Sequence, residues 1–288
     1  MKKAVLIAFF AATAANAGTP VKSEYFYQTE AQKHQVTPEL KYDTQKIDTG
    51  ATTDVTGQTL SVRYEYGINE MLSTGIRAGY TMMESETGAT TQDQTGMTDI
   101  TLFLKGQNAW VDSQSMHWGA NLNWSPGDRE VNTDDNEVNG MSGGMTLNPF
   151  VGYLWMVGNG TAGVNLSTGL NLGDRTTKTT TAGVETETTT TGGNETALTG
   201  LYEHNMEKAL IGTSLSYVNI NTAENDTAGT ESTTDGGNFW RLRVYPTYTV
   251  SENTTVLGEL KYESLISENA TYESWNNLTL QVGGRFTF

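Results

Sequence analysis

Three histidines, His34, His117 and His204, and no cysteine make up all the imidazole and thiol chemistry of this chain. A hydrolytic triad or a zinc site needs such groups within a few ångströms of their partners. The strand pattern described below puts the three in an N-terminal segment, on an inward-facing row and at a turn. No enzyme is expected, and no cofactor. Asp135-Asn136-Glu137-Val138-Asn139-Gly140 partly imitates a calcium loop, but Thr146 stands where the closing Glu is required, which excludes an EF-hand. Asp134, Asp135 and Glu137 fit either weak divalent binding or a solvated acidic loop, so no metal site is assigned.

The charged side chains suggest a different chemistry, selection of solutes. Lys41, Arg63, Glu65, Arg77, Lys105, Arg241, Arg243, Glu259, Lys261 and Arg285 all fall opposite an apolar row. Glu39, Asp43, Asp99, Glu203 and Glu263 accompany them. Facing a wet lumen, these groups fit a narrow pore that selects small polar or anionic solutes. They also fit a salt-bridged core that closes the lumen, because opposite charges on neighbouring strands favour pairing.

The rows follow a period of two. Leu60, Val62, Tyr64, Tyr66 and Ile68 alternate with Ser61, Arg63, Glu65 and Gly67, so one strand face is apolar and the other ionic. The pattern returns at 76–82, 100–104, 116–124, 147–155, 162–170, 211–217, 240–250, 256–262 and 278–288, and more weakly at 36–44 and 196–202. That predicts twelve strands, and an even count suits a closed antiparallel barrel with both chain ends on one side.

Connections alternate in length. Short ones fall at 69–70, 110–114, 158–160, 204–207 and 251–253, with long polar ones at 48–56, 84–96, 127–143, 173–193 and 221–237 and a brief one at 268–272. This is the layout of short periplasmic turns and long, here acidic, extracellular loops. Residues 176–191 contain ten threonines and read as a mobile, nearly low-complexity loop.

A soluble sandwich also alternates, but three features favour a membrane wall. The strands run longer than soluble ones, Tyr and Trp sit at the ends of the apolar rows, and those rows carry no charge. An Arg or Lys at mid-depth on the lipid face would cost about 2–4 kcal/mol.

Lys2 and Lys3, an apolar run from Ala4 to Ala12 and the triplet Ala15-Asn16-Ala17 form a secretory signal peptide. The apolar run is too short to cross a bilayer as a helix. The expected organisation is a signal peptide at 1–17, a tail, plug or extra strand at 18–33, and a transmembrane β-barrel at 34–288. The net charge of −16 opposes binding to nucleic acid.

The final segment, Leu278-Thr279-Leu280-Gln281-Val282-Gly283-Gly284-Arg285-Phe286-Thr287-Phe288, resembles the signature by which the bacterial barrel-insertion machinery recognises outer-membrane proteins. That resemblance implies the bacterial outer membrane as location, with Phe288 read by the machinery and with lipid and lipopolysaccharide as surroundings. Gly96-Met97-Thr98-Asp99-Ile100-Thr101-Leu102-Phe103-Leu104-Lys105, followed by Ser125-Pro126-Gly127-Asp128, is similar to a strand and loop of transporter-type barrels grouped with the meta-pathway of phenol degradation. This second resemblance implies passage of small, aromatic molecules, although Ser125 departs from the apolar residue usual there. The expected function is a porin-like channel for passive passage of small solutes. The alternative is a closed structural or surface-interaction barrel whose acidic loops contact other cells, phage or lipopolysaccharide.

Overall fold

The computed structural model describes residues 21–111 and 113–288, so the expected signal peptide lies outside the described residues. The strands, in chain order, are β1 (His34–Asp48), β2 (Thr52–Asn69), β3 (Leu72–Thr87), β4 (Thr90–Met97), β5 (Ile100–Val111), β6 (Gln114–Trp124), β7 (Arg129–Asn132), β8 (Glu137–Val138) and β9 (Met145–Val157). They continue as β10 (Gly160–Asn171), β11 (Arg175–Thr181), β12 (Val184–Gly192), β13 (Glu195–Asn205), β14 (Ala209–Ile220), β15 (Ala223–Thr227), β16 (Thr230–Thr234), β17 (Gly237–Ser251), β18 (Thr254–Leu265) and β19 (Ser274–Thr287).

Twelve of these strands form the wall, in the antiparallel order β1, β2, β3, β5, β6, β9, β10, β13, β14, β17, β18, β19 and back to β1. Closure removes every sheet edge from the wall, which a strand in hydrocarbon requires because no water is present to satisfy its backbone. The seam between β1 and β19 ends in mutual hydrogen bonds, His34 N–H to Phe288 carbonyl and Phe288 N–H to His34 carbonyl, each 2.9 Å.

Alternation places the two rows as their chemistry requires. Leu280 is 52% exposed on the outer face, and Leu60, Val62, Leu242 and Val282 are exposed there too, whereas Glu65 on the inner face is fully buried. A soluble protein would reverse this arrangement.

The long polar connections, expected as irregular loops, are largely strands. β4 extends the hairpin begun by β3, β11 and β12 pair throughout, and β15 pairs with β16. Threonine accounts for the difference: its branched Cβ suits a pleated ladder, and its hydroxyls bond across strands. Thr188 and Thr227 meet at 2.8 Å in this way. Asp134, a candidate cation ligand by sequence, instead accepts the N–H groups of Ala182 and Gly183 at 2.6 and 2.8 Å, tying two hairpin tips together.

Three prolines interrupt the wall. The β1–β19 pairing skips Thr37 and Pro38, the β9–β10 pairing skips Asn148 and Pro149, and the β17–β18 pairing skips Tyr245 and Pro246. Proline has no N–H to donate, so one seam parts at each while the other is kept.

Candidate functional site

All ten residues expected to line the lumen lie on the inner face. Their eight cations are paired. Arg63 and Arg77 share Glu39 at 3.1 and 3.2 Å, Lys105 meets Glu65 at 2.6 Å, and Lys41 meets Asp43 at 2.8 Å. Arg241 and Lys261 both hold Glu263, at 2.5 and 2.6 Å, Arg241 also reaches Glu195 at 3.2 Å, and Arg243 pairs with Glu259. Arg285 binds Glu24 at 2.7 Å. The charged half of the wall is therefore internally neutralised. Across from it, β6, β9 and β10 present the amides of Asn121, Asn123, Asn148 and Asn165 to the same space.

The short-turn end of the lumen is occupied by residues 21–33. Val21 N–H donates to Ser115 Oγ at 3.2 Å, and Glu203 Oε1 accepts from Ser23 Oγ at 3.0 Å, Tyr25 N–H at 2.8 Å and Tyr245 Oη at 3.1 Å. On the opposite wall Thr29 N–H reaches Glu65 Oε1 at 2.9 Å, and Lys105 Nζ donates to the Tyr27 carbonyl at 2.8 Å. Charge-assisted bonds of this kind are about twice as strong as neutral ones. The segment leaves by the rim, where Gln32 N–H bonds the Gly67 carbonyl at 2.6 Å before β1 begins.

Apolar contacts seat it as well. Val21 and Phe26 form a buried cluster with Leu154 and Leu201, against which Tyr25 and Phe150 pack. The Phe26 ring stacks on His117 at 5.1 Å and lies over Gly152, where any side chain would strike it. Arg285 lies over the Tyr27 ring at 3.4 Å from its centroid, a cation–π contact. Above the segment a cavity of about 520 Å³ remains, bounded below by Glu24, Tyr25, Phe26 and Tyr27 and at the sides by Arg63, Arg77, Arg243, Phe103 and the four asparagines.

The charged wall is legible in the sequence, but the seat of this segment is not. The overlooked residues are Phe103, Phe150, Leu154, Leu201 and Tyr245, all apolar side chains on the inner face. Phe103, Phe150, Leu154 and Tyr245 sit between outward apolar neighbours, as in Tyr153-Leu154-Trp155, and so break the strict alternation. That break was the available signal.

Ser115 Oγ and His117 Nε2 are 2.9 Å apart, but the hydroxyl already accepts from Val21 and the imidazole is covered by Phe26. Among the described residues no group of three metal-ligating side chains converges.

No family model and no curated protein sequence matches the chain. Solved structures do. The fold is that of an outer-membrane β-barrel. The COG4313 outer membrane channel from Pseudomonas putida F1 superposes with a TM-score of 0.66 at 12% identity, covering 93% of this chain and 100% of that one. The transport unit of the autotransporter AIDA-I from Escherichia coli gives 0.55 at 12% identity over 92% and 94% of the two chains. A mutant of TodX, a monoaromatic hydrocarbon channel, gives 0.53 at 8% identity over 91% of each. At these identities the likeness is one of fold.

Proposed function

We propose that this protein is an outer-membrane channel for passive passage of small solutes, held closed in this state by residues 21–33 at its periplasmic, short-turn end. The observation that carries the reading is the lumen cavity, whose floor is the segment itself and whose walls are lined with paired charges and amides. A solid barrel core would leave no such space. Two of the solved structures it resembles, the COG4313 outer membrane channel and the TodX mutant, are channels, which supports the same reading. Because each of the eight wall cations named above has a carboxylate partner, the lining suits small polar solutes, with weak discrimination by charge.

Single-channel recording of the refolded protein, with and without residues 21–33, tests this. The full chain should show low or intermittent conductance and the truncated chain a steady, larger one. Silence from both favours the second reading, a closed structural barrel presenting acidic hairpins outward, for which the ion-paired lumen is the specific observation.

A further inference from the structure

We propose that the long-connection end of the lumen holds a binding site for small hydroxylated monocarboxylates, centred on Arg129 and Arg77. This inference deepens the channel reading above by naming a class of solute, and it rests on that reading for transport but not for binding.

Arg129 has no carboxylate of its own. Five of the seven arginines hold one in an ion pair, whereas Arg129 and Arg175 form none among the described residues. Asp99, the carboxylate whose field reaches Arg129, spends one oxygen on Ser142 N–H at 3.0 Å and makes no ion pair with it.

Alternation turns this guanidinium inward. β7 runs parallel to β11 with Thr177 opposite Arg129 and Lys178 opposite Glu130. Arg129, Thr177 and, two places along, Arg175 therefore share one face of the hairpin sheet. Glu130 and Lys178 share the other, with Glu185 and Glu187 of β12. The acidic groups of these strands thus lie on the face away from Arg129, which lines a cavity of about 410 Å³ together with the inner-face residues Lys41, Arg77 and Asn123. Gly143 allows that placement. At its φ of +76° the turn before β9 lies so close that a Cβ would stand 2.8 Å from Arg129 N and 2.1 Å from the Thr176 carbonyl oxygen.

This upper cavity joins the one above residues 21–33, since Arg77, Thr101 and Asn123 line both. Thr101 Oγ donates to Asn123 Oδ1 at 2.8 Å, which leaves the Asn123 amide N–H groups without an acceptor among the described residues. Charge at the junction does not balance. Lys41 is matched by Asp43, but Arg63 and Arg77 share the single carboxylate of Glu39. With Arg129 and Asp99 added, three guanidiniums face two carboxylates. The Arg77 side chain is 38% exposed, so it is open to a further partner.

One surplus positive charge matches one carboxylate, which the planar guanidinium fork binds through two parallel bonds. A doubly charged phosphate would leave a negative charge uncompensated. The body of the solute would lie toward Asn121 and Asn148, whose amides line the adjoining cavity and bond hydroxyl or carbonyl groups. An inorganic anion would satisfy the guanidinium and leave those amides unused.

Gluconate and sorbitol, which differ by a carboxylate in place of a hydroxymethyl group, test the proposal. Each is titrated calorimetrically into the full chain in detergent at constant ionic strength. Gluconate should bind at least tenfold more tightly than sorbitol, and Arg129→Gln should weaken gluconate about tenfold or more. Arg129→Lys, which keeps the charge without the fork, should lose less. Lys178→Gln removes a cation from the opposite face of the same sheet and should leave binding unchanged. Equal affinity in parent and Arg129→Gln overturns the proposal, and so does an equal loss in Arg129→Gln and Lys178→Gln. Displacement of gluconate by chloride at equal concentration would mean a site for any small anion and would also overturn it.

Should Arg129→Gln fail to insert, Asp99→Asn provides a test in the opposite direction. It keeps an acceptor for Ser142 N–H and removes the competing charge, so gluconate should bind about threefold more tightly or better. Unchanged or weaker binding overturns the proposal. Gluconate flux into liposomes reads the channel separately. Binding without flux would sink the channel reading and leave this site standing, whereas flux without binding would sink this site alone.

Discussion

Arg285 and Glu24 stand 261 residues apart and form a two-pronged ion pair, Nη1 to Oε1 at 3.1 Å and Nη2 to Oε2 at 2.7 Å. The pair fastens the segment inside the lumen to the last wall strand. Glu24→Ala forfeits both bonds, and hydrogen bonds to charged groups contribute about 1.5–3 kcal/mol each. The open fraction in single-channel traces should rise about tenfold or more, and traces identical to the parent's would contradict the closing role.

Glu203, on β13, fastens the same stretch of the segment through Ser23 and Tyr25. Glu203→Gln keeps the shape and removes the charge, so the segment should leave the lumen more often. Trypsin supplied to the short-turn end should then cleave after Lys22 and Lys33 about threefold faster, as expected when local opening limits cleavage. An unchanged cleavage rate would show that this carboxylate does not hold the segment.

Replacing Arg241 and Arg243 together by serine strips Glu195, Glu259 and Glu263 of three of their ion-pair contacts. In a potassium chloride gradient the parent's reversal potential should lie near zero, and the variant's should move toward cation selectivity. A shift toward anions would refute the neutralised-lumen picture.

Glu65→Ala should cost more stability than any of these. It leaves Lys105, whose side chain is 15% exposed, without its carboxylate, and it removes the acceptor of Thr29 N–H and Ser73 Oγ. Breaking a buried pair in this way typically costs about 3–5 kcal/mol. Urea unfolding in detergent micelles would measure the loss.

Outside the membrane, Lys178 binds Asp128 at 2.7 Å, and that hydrogen bond, with the attraction of the carboxylate, raises the ammonium pKa above the ordinary lysine value. A raised pKa means that the contact is fully present below the unfolded-state value and is lost as pH rises through the folded one. A nitrogen-15 titration should show Lys178 deprotonating later than free lysine. Asp128→Asn should return it toward the ordinary value.

Much of the wall was legible in the sequence because a barrel in lipid enforces one rule at every second position. Leu60 to Ile68 could be read without coordinates, and so could the inward direction of Arg63 and Glu65. The hairpin strands were missed because polarity was read as disorder, whereas the threonines of β11 and β12 find partners in each other. The lumen segment was less legible still. Nothing in residues 21–33 alternates, and its partners Ser115, Glu203 and Arg285 are distant in sequence and unremarkable in type. Only the extra apolar residues on the inner face, Leu154 and Leu201 above all, marked where it would sit.

The mutual bonds of His34 and Phe288 have a consequence for assembly. They zip the first wall strand to the last at the rim through which residues 21–33 turn inward. The first part of the described chain to be synthesised therefore waits longest for its partners, because Arg285 arrives only with the final strand. Insertion must either fold the wall around a segment already lying within it or thread that segment in beneath a ring just sealed. The single residue boundary at His34, half rim and half tether, is where that order of events is decided.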